Sequence, residues 1–314
     1  MKFESTKEVS VAFAKIGIMS IGEMGYHWAK LLTARGAEVL TYDRDRSPVT
    51  QKRAENAGVR STGSLSELCS SADLIVSIVV PTAAINVAAE IAKAATHAKR
   101  KGLIYFDANA ISPMTAETIS GVLTESAVEF VDGCIIGSAA KMDKGSVVYA
   151  SGPAATRIAV LGDYGLSVRV LGTGTSQASA FKVVYAGLTK GLQGLFVELL
   201  MGAKRFGLLD EIVNRYDESF PGLLEKVSSS IVGLRNHAAR RAEEMDELQR
   251  TYAHYGMTAL MAPAVQKVLG SIADLAIRES SEKGARAGDL METLELFYQQ
   301  GLLSDARLAS SASK

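Results

Sequence analysis

Residues 15–36 read KIGIMSIGEMGYHWAKLLTARG. An apolar, β-rich run ends at Met19, small residues crowd the next positions, and a helical pattern follows in which Met24, Trp28, Leu31 and Leu32 share one face. Strand, tight turn, helix is the opening unit of a parallel α/β fold. The alternation continues. Strands are expected at IGIM, VLTYD, DLIVSIVV and LIYFDA, and helices over Glu23–Ala34, Pro48–Ala57, Thr82–Ala98 and Pro113–Glu125. Repeated at this spacing, strand and helix specify a doubly wound parallel sheet with right-handed crossovers. VEFVDGCII and GSVVYASG, joined by a short loop, and later SVRVLG extend that sheet. From Gly174 onward the apolar residues recur at helical spacing, as in SQASAFKVVYAGLTKGLQGLFVELLMGAKRFG. The expected organisation is an α/β (Rossmann) domain over 1–173 and an all-α second domain over 174–314.

Composition narrows the function. The 34 basic and 34 acidic residues of this 314-residue chain cancel, so no net field draws it to nucleic acid or an anionic membrane surface. A small-molecule substrate is the expected partner. Cys69 and Cys134 form neither a CxxC pair nor a disulfide framework, which suits a reducing cytoplasm. No apolar stretch reads as the roughly 20 residues of a membrane span, since DLIVSIVV stops at Pro81. The start mixes acids and bases without a signal-like apolar region, and the tail LLSDARLASSASK reads as frayed. The run LFVELLM offers apolar surface for a homodimer through the C-terminal helices.

The turn after the first strand fits a dinucleotide. Gly22 and Gly25 let the backbone approach a pyrophosphate and the helix pack closely, while the helix N-terminus favours negative charge. Ser20 replaces the first glycine of GxGxxG and is expected to turn without extreme dihedrals. Ser20, Ile21, Gly22, Glu23, Met24 and Gly25 are the expected cofactor contacts. Asp43 ends the next strand about 20 residues on, where a carboxylate accepts from ribose hydroxyls; it serves equally as a strand-end cap. Arg44 and Arg46 suit a 2′-phosphate, so both NAD and NADP remain open. The repulsion between Asp43 and that phosphate tilts the reading to NAD.

These pieces line up with a family. IGIMSIGEMGYHWAKLL resembles the opening signature of the β-hydroxyacid dehydrogenases, relatives of 6-phosphogluconate dehydrogenase. SIVVPTAA resembles the family's nicotinamide-side loop, which implies cofactor contacts from Val79, Val80 and Pro81, and Asn109 is a further expected cofactor contact. DANAISP resembles its substrate loop, VDGCIIGSAAKMDKGSVVYASG its Ser-Gly-Gly loop, and GTSQASAFKVVYAGLTKG the interdomain helix with the catalytic lysine. The likeness runs from Lys15 to Gly207, and RRAEEMDELQRTYAHYG is similar to a less-characterised C-terminal domain. It implies an NAD(P)-dependent dehydrogenase or reductase acting on CH–OH. Asn109, Gly137, Ser138 and Ala186 occupy the substrate-binding positions. Three departures stand out: Asn109 and Ala110 replace Ser-Thr, Ile136, Gly137 and Ser138 replace Ser-Gly-Gly, and Ala186 replaces an Asn.

Lys182 has no charged residue three or four positions away, and most such lysines simply reach from an apolar stretch to water. The resemblance instead implies a general acid and base, exchanging the alcohol proton as hydride moves at the nicotinamide C4. Asn109 either binds a substrate oxygen or forms the turn before Ser112, which caps the next helix. Thr189 and Lys190 reach an acidic substrate or solvent. His27, His97, His237 and His254 are scattered, so no metal is expected. RRAEEMDELQR reads as a solvated helix face, with His237, Arg240 and Glu244 as lesser candidates for the cleft. Rival readings are an imine reductase, whose usual Asp or Tyr donor is absent here, and a catalytically silent cofactor-binding protein.

Overall fold

The computed structural model describes residues 13–275 and 289–304. The N-terminal lead-in before residue 13 and the tail beyond 304 lie outside the described residues. The chain forms two compact units, Met1–Lys182 and Val183–Lys314.

Unit 1 is built on eight strands: β1 (Lys15–Met19), β2 (Glu38–Thr41), β3 (Arg60–Ser61), β4 (Leu74–Ser77), β5 (Ile104–Asp107), β6 (Glu129–Ile136), β7 (Val147–Ser151) and β8 (Ser167–Gly172). Their order is β3-β2-β1-β4-β5-β6-β7-β8. The central strands β1, β4 and β5 are buried on both faces, and their side chains alternate between two cores. Ile16 and Ile18 of β1, Leu74 and Val76 of β4, and Ile104 and Phe106 of β5 face one core. Met19, Ile75 and Tyr105 face the other. Helices α1 (Glu23–Ala34), α2 (Pro48–Asn56) and α6 (Ala155–Ile158) cover the first face with Trp28, Leu32, Ala54 and Ile158. Helices α3 (Leu65–Ser71), α4 (Ala84–His97) and α5 (Pro113–Thr124) cover the second with Leu68, Val87, Ile91 and Ile119. The doubly wound expectation holds.

The all-parallel expectation holds only through β6. Strand β7 runs antiparallel to β6, and β8 pairs parallel with β7. The link from Ile136 to Val147 carries a single 3-10 turn, too little chain for the crossover that parallel neighbours need. Strand β3 and helix α3 escaped the sequence reading because the first is two exposed residues and the second a short polar helix.

Unit 2 is helical among its described residues: the rest of α7 (Gln177–Arg205), then α8 (Leu209–Ser219), α9 (Leu223–Val232), α10 (Leu234–His254), α11 (Met261–Ala273) and α12 (Leu290–Gln299). Phe196, Val197, Leu200, Ile231, Leu234, Met245, Leu269 and Phe297 form its core. The divide between units falls inside α7 because Ala178 and Ser179 are still hydrogen-bonded to the sheet. Contrary to the sequence reading, one described helix, α7, is long and apolar enough by length and composition to cross a membrane. Its leucines, valines and alanines raise the average while Lys182 and Lys190 interrupt it, and Phe196, Val197 and Leu200 are buried in the unit 2 core.

The β1–α1 turn corrects another expectation. Ser20 sits at φ +74°, a left-handed conformation, so the first glycine position does require unusual dihedrals. That backbone costs an L-residue about 1–2 kcal/mol. Glycine's extra freedom in the unfolded chain costs about 0.4–1 kcal/mol. Ser20→Gly is therefore expected to stabilise the protein by roughly half a kcal/mol or more, read as a higher urea midpoint. Destabilisation of that size would show that the serine side chain outweighs its own strain.

Candidate functional site

The carboxyl ends of adjacent parallel strands line one edge of unit 1, and the residues singled out in its sequence follow them: Ser20–Gly25 after β1, Asp43 and Arg44 after β2, Val79–Pro81 after β4, Asn109 after β5, Gly137 and Ser138 after β6. Strands β1 and β4 lie side by side while their crossovers depart in opposite directions. This is the switch point at which open α/β sheets bind ligands.

A Cβ placed on Gly25 would lie 2.3 Å from the Ser20 carbonyl oxygen, so α1 can sit this close only with glycine there. Gly22 begins α1 without a side-chain cap, whereas Ser47, Ser64 and Ser112 each cap theirs. The first amides of α1 thus keep their hydrogens for a ligand, and the cradle fits a dinucleotide pyrophosphate. Glu23 is exposed and Met24 half-buried against the core. Ile21 is fully buried, so only its backbone can face a cofactor.

Asp43 is 9% exposed, and its Oδ1 accepts from Ser61 Oγ at 2.5 Å. Its second oxygen has no partner among the described residues. Arg44 is exposed beside it. Val80, 65% exposed, and Pro81 project from the β4 end, while Val79 N donates to Asn109 Oδ1 at 2.6 Å.

Asn109 departs from the substrate-binding role expected of it. It is 3% exposed, and its Nδ2 donates to Ser77 Oγ (3.1 Å) and Asp107 Oδ2 (2.9 Å). With both amide hydrogens committed, the side chain braces the Val79 loop instead of offering a donor to a ligand. Gly137, at φ +137°, is required because a Cβ there would meet Ser146 Oγ at 2.2 Å. Gly137 and Ser138 are both exposed.

Lys182 lies in the second turn of α7, and its Nζ donates to the Ile135 carbonyl at 2.5 Å, near the carboxyl end of β6. Its charge is felt at buried Cys134, whose thiol burial nonetheless pushes up to about 12. Ala186, in unit 2, has no polar side chain to offer, and its carbonyl accepts from Thr189 Oγ1. Lys190 pairs with Glu244 at 2.6 Å, and Arg240 reaches the same carboxylate at 3.4 Å. No three His, Cys, Asp or Glu side chains gather as a metal-ligand set among the described residues.

The sequence reading missed two acids. Asp107 and Asp132 are register partners on β5 and β6, both fully buried. Asp107 accepts from the Asn109 backbone N (3.0 Å) and side chain. Asp132 accepts from Ser179 N (2.8 Å), Ser179 Oγ (2.6 Å) and Ser151 Oγ (3.2 Å). Burial raises Asp107 to about 7, with the neighbouring Asp132 charge adding and the Asn109 bonds opposing. Burial raises Asp132 to about 6 against the pull of Ser179 and Ser151. The available signal was an acid inside a strand otherwise apolar on both faces, in IYFD and FVDGCII.

Residues 15–161 match the family described as the NAD binding domain of 6-phosphogluconate dehydrogenase, and residues 203–272 match a domain of unknown function, DUF1932. A solved conserved protein of unknown function, described as structurally similar to 3-hydroxyacid dehydrogenases, is 31% identical; the match covers 83% of this chain and 97% of that one, with a TM-score of 0.73. An uncharacterised 28.5 kDa protein of Methanothermus fervidus is 28% identical over 82% of this chain and 98% of its own length. The fold is shared with a Mycobacterium tuberculosis 3-hydroxyisobutyrate dehydrogenase, solved with L-serine (16% identity, 90% and 98% coverage, TM-score 0.72). It is shared more distantly with a Streptomyces aurantiacus imine reductase (16%, 90% and 99%, TM-score 0.54).

The two acids set a pH dependence. Both are raised above the ordinary value of 3.8, so between roughly pH 4 and 7 the folded chain holds more protons than the unfolded one. Their contribution to stability is present at low pH and lost as pH rises through that window. Urea midpoints are expected to fall between pH 5 and pH 8, and Asp107→Asn should flatten that fall by about 1 kcal/mol or more. An unchanged slope in the variant would show that Asp107 does not carry a raised proton.

Proposed function

We propose a reaction from the premise that this chain belongs to the β-hydroxyacid dehydrogenase family, NAD(P)-dependent oxidoreductases related to 6-phosphogluconate dehydrogenase, in the branch whose cofactor domain is joined to DUF1932. The reaction is hydride transfer between NAD(P) and the CH–OH or C=O carbon of a small acidic substrate, with Lys182 as general acid and base. When bound, the nicotinamide supplies or accepts the hydride. The chain's own residues do the rest.

The observation that carries the reading is the bond from Lys182 Nζ to Ile135 O, which holds the amine at the sheet edge bearing the glycine turn. An ammonium carries three hydrogens, and the bond to the Ile135 carbonyl orients the group at that edge. The uncapped α1 amides take the pyrophosphate, and Asp43 takes the adenosine ribose. The partly uncommitted carboxylate of Asp43 supports the preference for NAD, with exposed Arg44 the residue that would favour NADP. Gly137 and Ser138 offer a backbone amide and a hydroxyl to the substrate's anionic group.

Screening hydroxy acids, sugar acids, aldehydes and imines with both cofactors is the direct test. We expect CH–OH or C=O substrates to turn over and a higher kcat/KM with NAD than with NADP. Turnover of imines alone would favour the rival C=N reduction. Lys182→Ala should lower kcat by roughly 100- to 10,000-fold while NADH binding, read by fluorescence, is retained. Near-normal turnover in that variant contradicts the assignment of Lys182.

The proposal includes a homodimer through unit 2. Exposed apolar residues on α7 (Leu188, Leu195, Leu199) and at the start of α11 (Leu260, 80% exposed, and Met261) support it. Sedimentation at micromolar concentration should give twice the chain mass; a monomer overturns it.

A further inference from the structure

We infer that Asp132 is a positioning residue for Lys182: by gripping the first turn of α7 from inside the sheet, it fixes where the lysine amine stands. The inference rests on the reading of Lys182 given above, although its first test does not.

The first amides of any helix have no acceptor within it. In α7 the Ala178 N–H goes to Ser151 Oγ at 2.9 Å on β7, and the Ser179 N–H goes to Asp132 Oδ2 at 2.8 Å on β6. Ser179 Oγ donates to Asp132 Oδ1 at 2.6 Å, and Ser151 Oγ donates to Asp132 Oδ2 at 3.2 Å. Both amides therefore end, directly or through one hydroxyl, on a single carboxylate of a neighbouring strand. Three residues beyond Ser179, on the same face, comes Lys182, whose amine reaches Ile135 O, three residues beyond Asp132 on the same strand. Helix and strand are thus pinned together at two successive points. The Phe181 ring stacks on Tyr149 at 4.3 Å between centroids, adding a third contact from the same turn.

Stability alone explains this arrangement poorly. A serine or threonine just ahead of the helix caps it for about 1 kcal/mol without placing a charge in the interior. Asp132 instead is fully buried, and the three hydrogen bonds it accepts do not bring its affinity for protons back to that of an exposed carboxylate. Its register partner Asp107 adds a second buried acid alongside. A costly group kept at the root of the lysine's helix fits a requirement for placement better than one for folding.

The test reads Lys182 directly. Acetic anhydride labelling followed by mass spectrometry gives the acylation rate of Lys182 relative to exposed Lys101. Asp132→Ala is expected to raise that ratio at least fivefold while NADH affinity stays within about twofold, because the glycine turn is untouched. An unchanged ratio overturns the inference. Ser179→Ala, which removes one of the bonds and leaves the acid in place, should give a smaller rise and serves if Asp132→Ala fails to fold; no rise there has the same overturning force. Asp132→Asn keeps the shape and can still accept from Ser179, so it should restore the labelling ratio toward wild type.

Turnover on any compound found in the substrate screen separates the two claims. Asp132→Ala should lower kcat at least tenfold, and combining it with Lys182→Ala should cost nothing beyond Lys182→Ala alone. If Lys182→Ala loses turnover and Asp132→Ala does not, positioning by Asp132 fails while the lysine reading survives. If Lys182→Ala stays active, the lysine reading fails whatever the labelling shows.

Discussion

The close approach of α1 to the end of β1 is the constraint on which unit 1 is built. The Ser20 carbonyl and the Gly25 backbone come near enough that a methyl group at residue 25 would lie 2.3 Å from the oxygen. On the helix that this contact seats, Trp28, Ala29 and Leu32 are completely buried. The same approach aims the uncapped start of the helix at the switch point between β1 and β4. Packing and the proposed phosphate cradle are therefore one geometric fact.

A second layer of order lies beneath the edge loops. Asp107 holds Asn109, which holds the Val79 loop; Asp132 holds Ser179 and, through Ser151, the start of α7. Two acids side by side on neighbouring strands thus brace the loop expected beside the nicotinamide and the helix bearing Lys182. Burial in an interior of low dielectric disfavours the charged form, which is why both bind protons more tightly than exposed carboxylates do, with the Asp132 charge adding to the effect at Asp107. The site edge rests on a foundation that is costly to maintain, as supports of functional geometry often are.

Much of this was legible in the sequence because the signals were local. Strand and helix periods located most elements of unit 1, and Gly22, Gly25 and Lys182 stood in recognisable surroundings. The failures share a physical origin in contacts distant along the chain. Nothing near Asn109 shows that its amide is consumed by Ser77 and Asp107, and nothing near Asp132 shows that a helix 47 residues away ends on it. Ser20 looked small enough to turn easily, yet its left-handed backbone is imposed by the packing of α1 rather than by its own preference. The reversal of β7 followed from a loop length that the sequence did display.

In the proposed reaction one edge of the sheet holds a nicotinamide dinucleotide with its reactive ring presented to Lys182. A crystal structure of the protein with bound NADH tests this most directly. The pyrophosphate is expected over the amides of residues 23–25, the adenosine ribose at Asp43, and the nicotinamide beside Val79–Pro81 with Lys182 Nζ facing its C4. A dinucleotide bound elsewhere, or a nicotinamide turned away from Lys182, would contradict it.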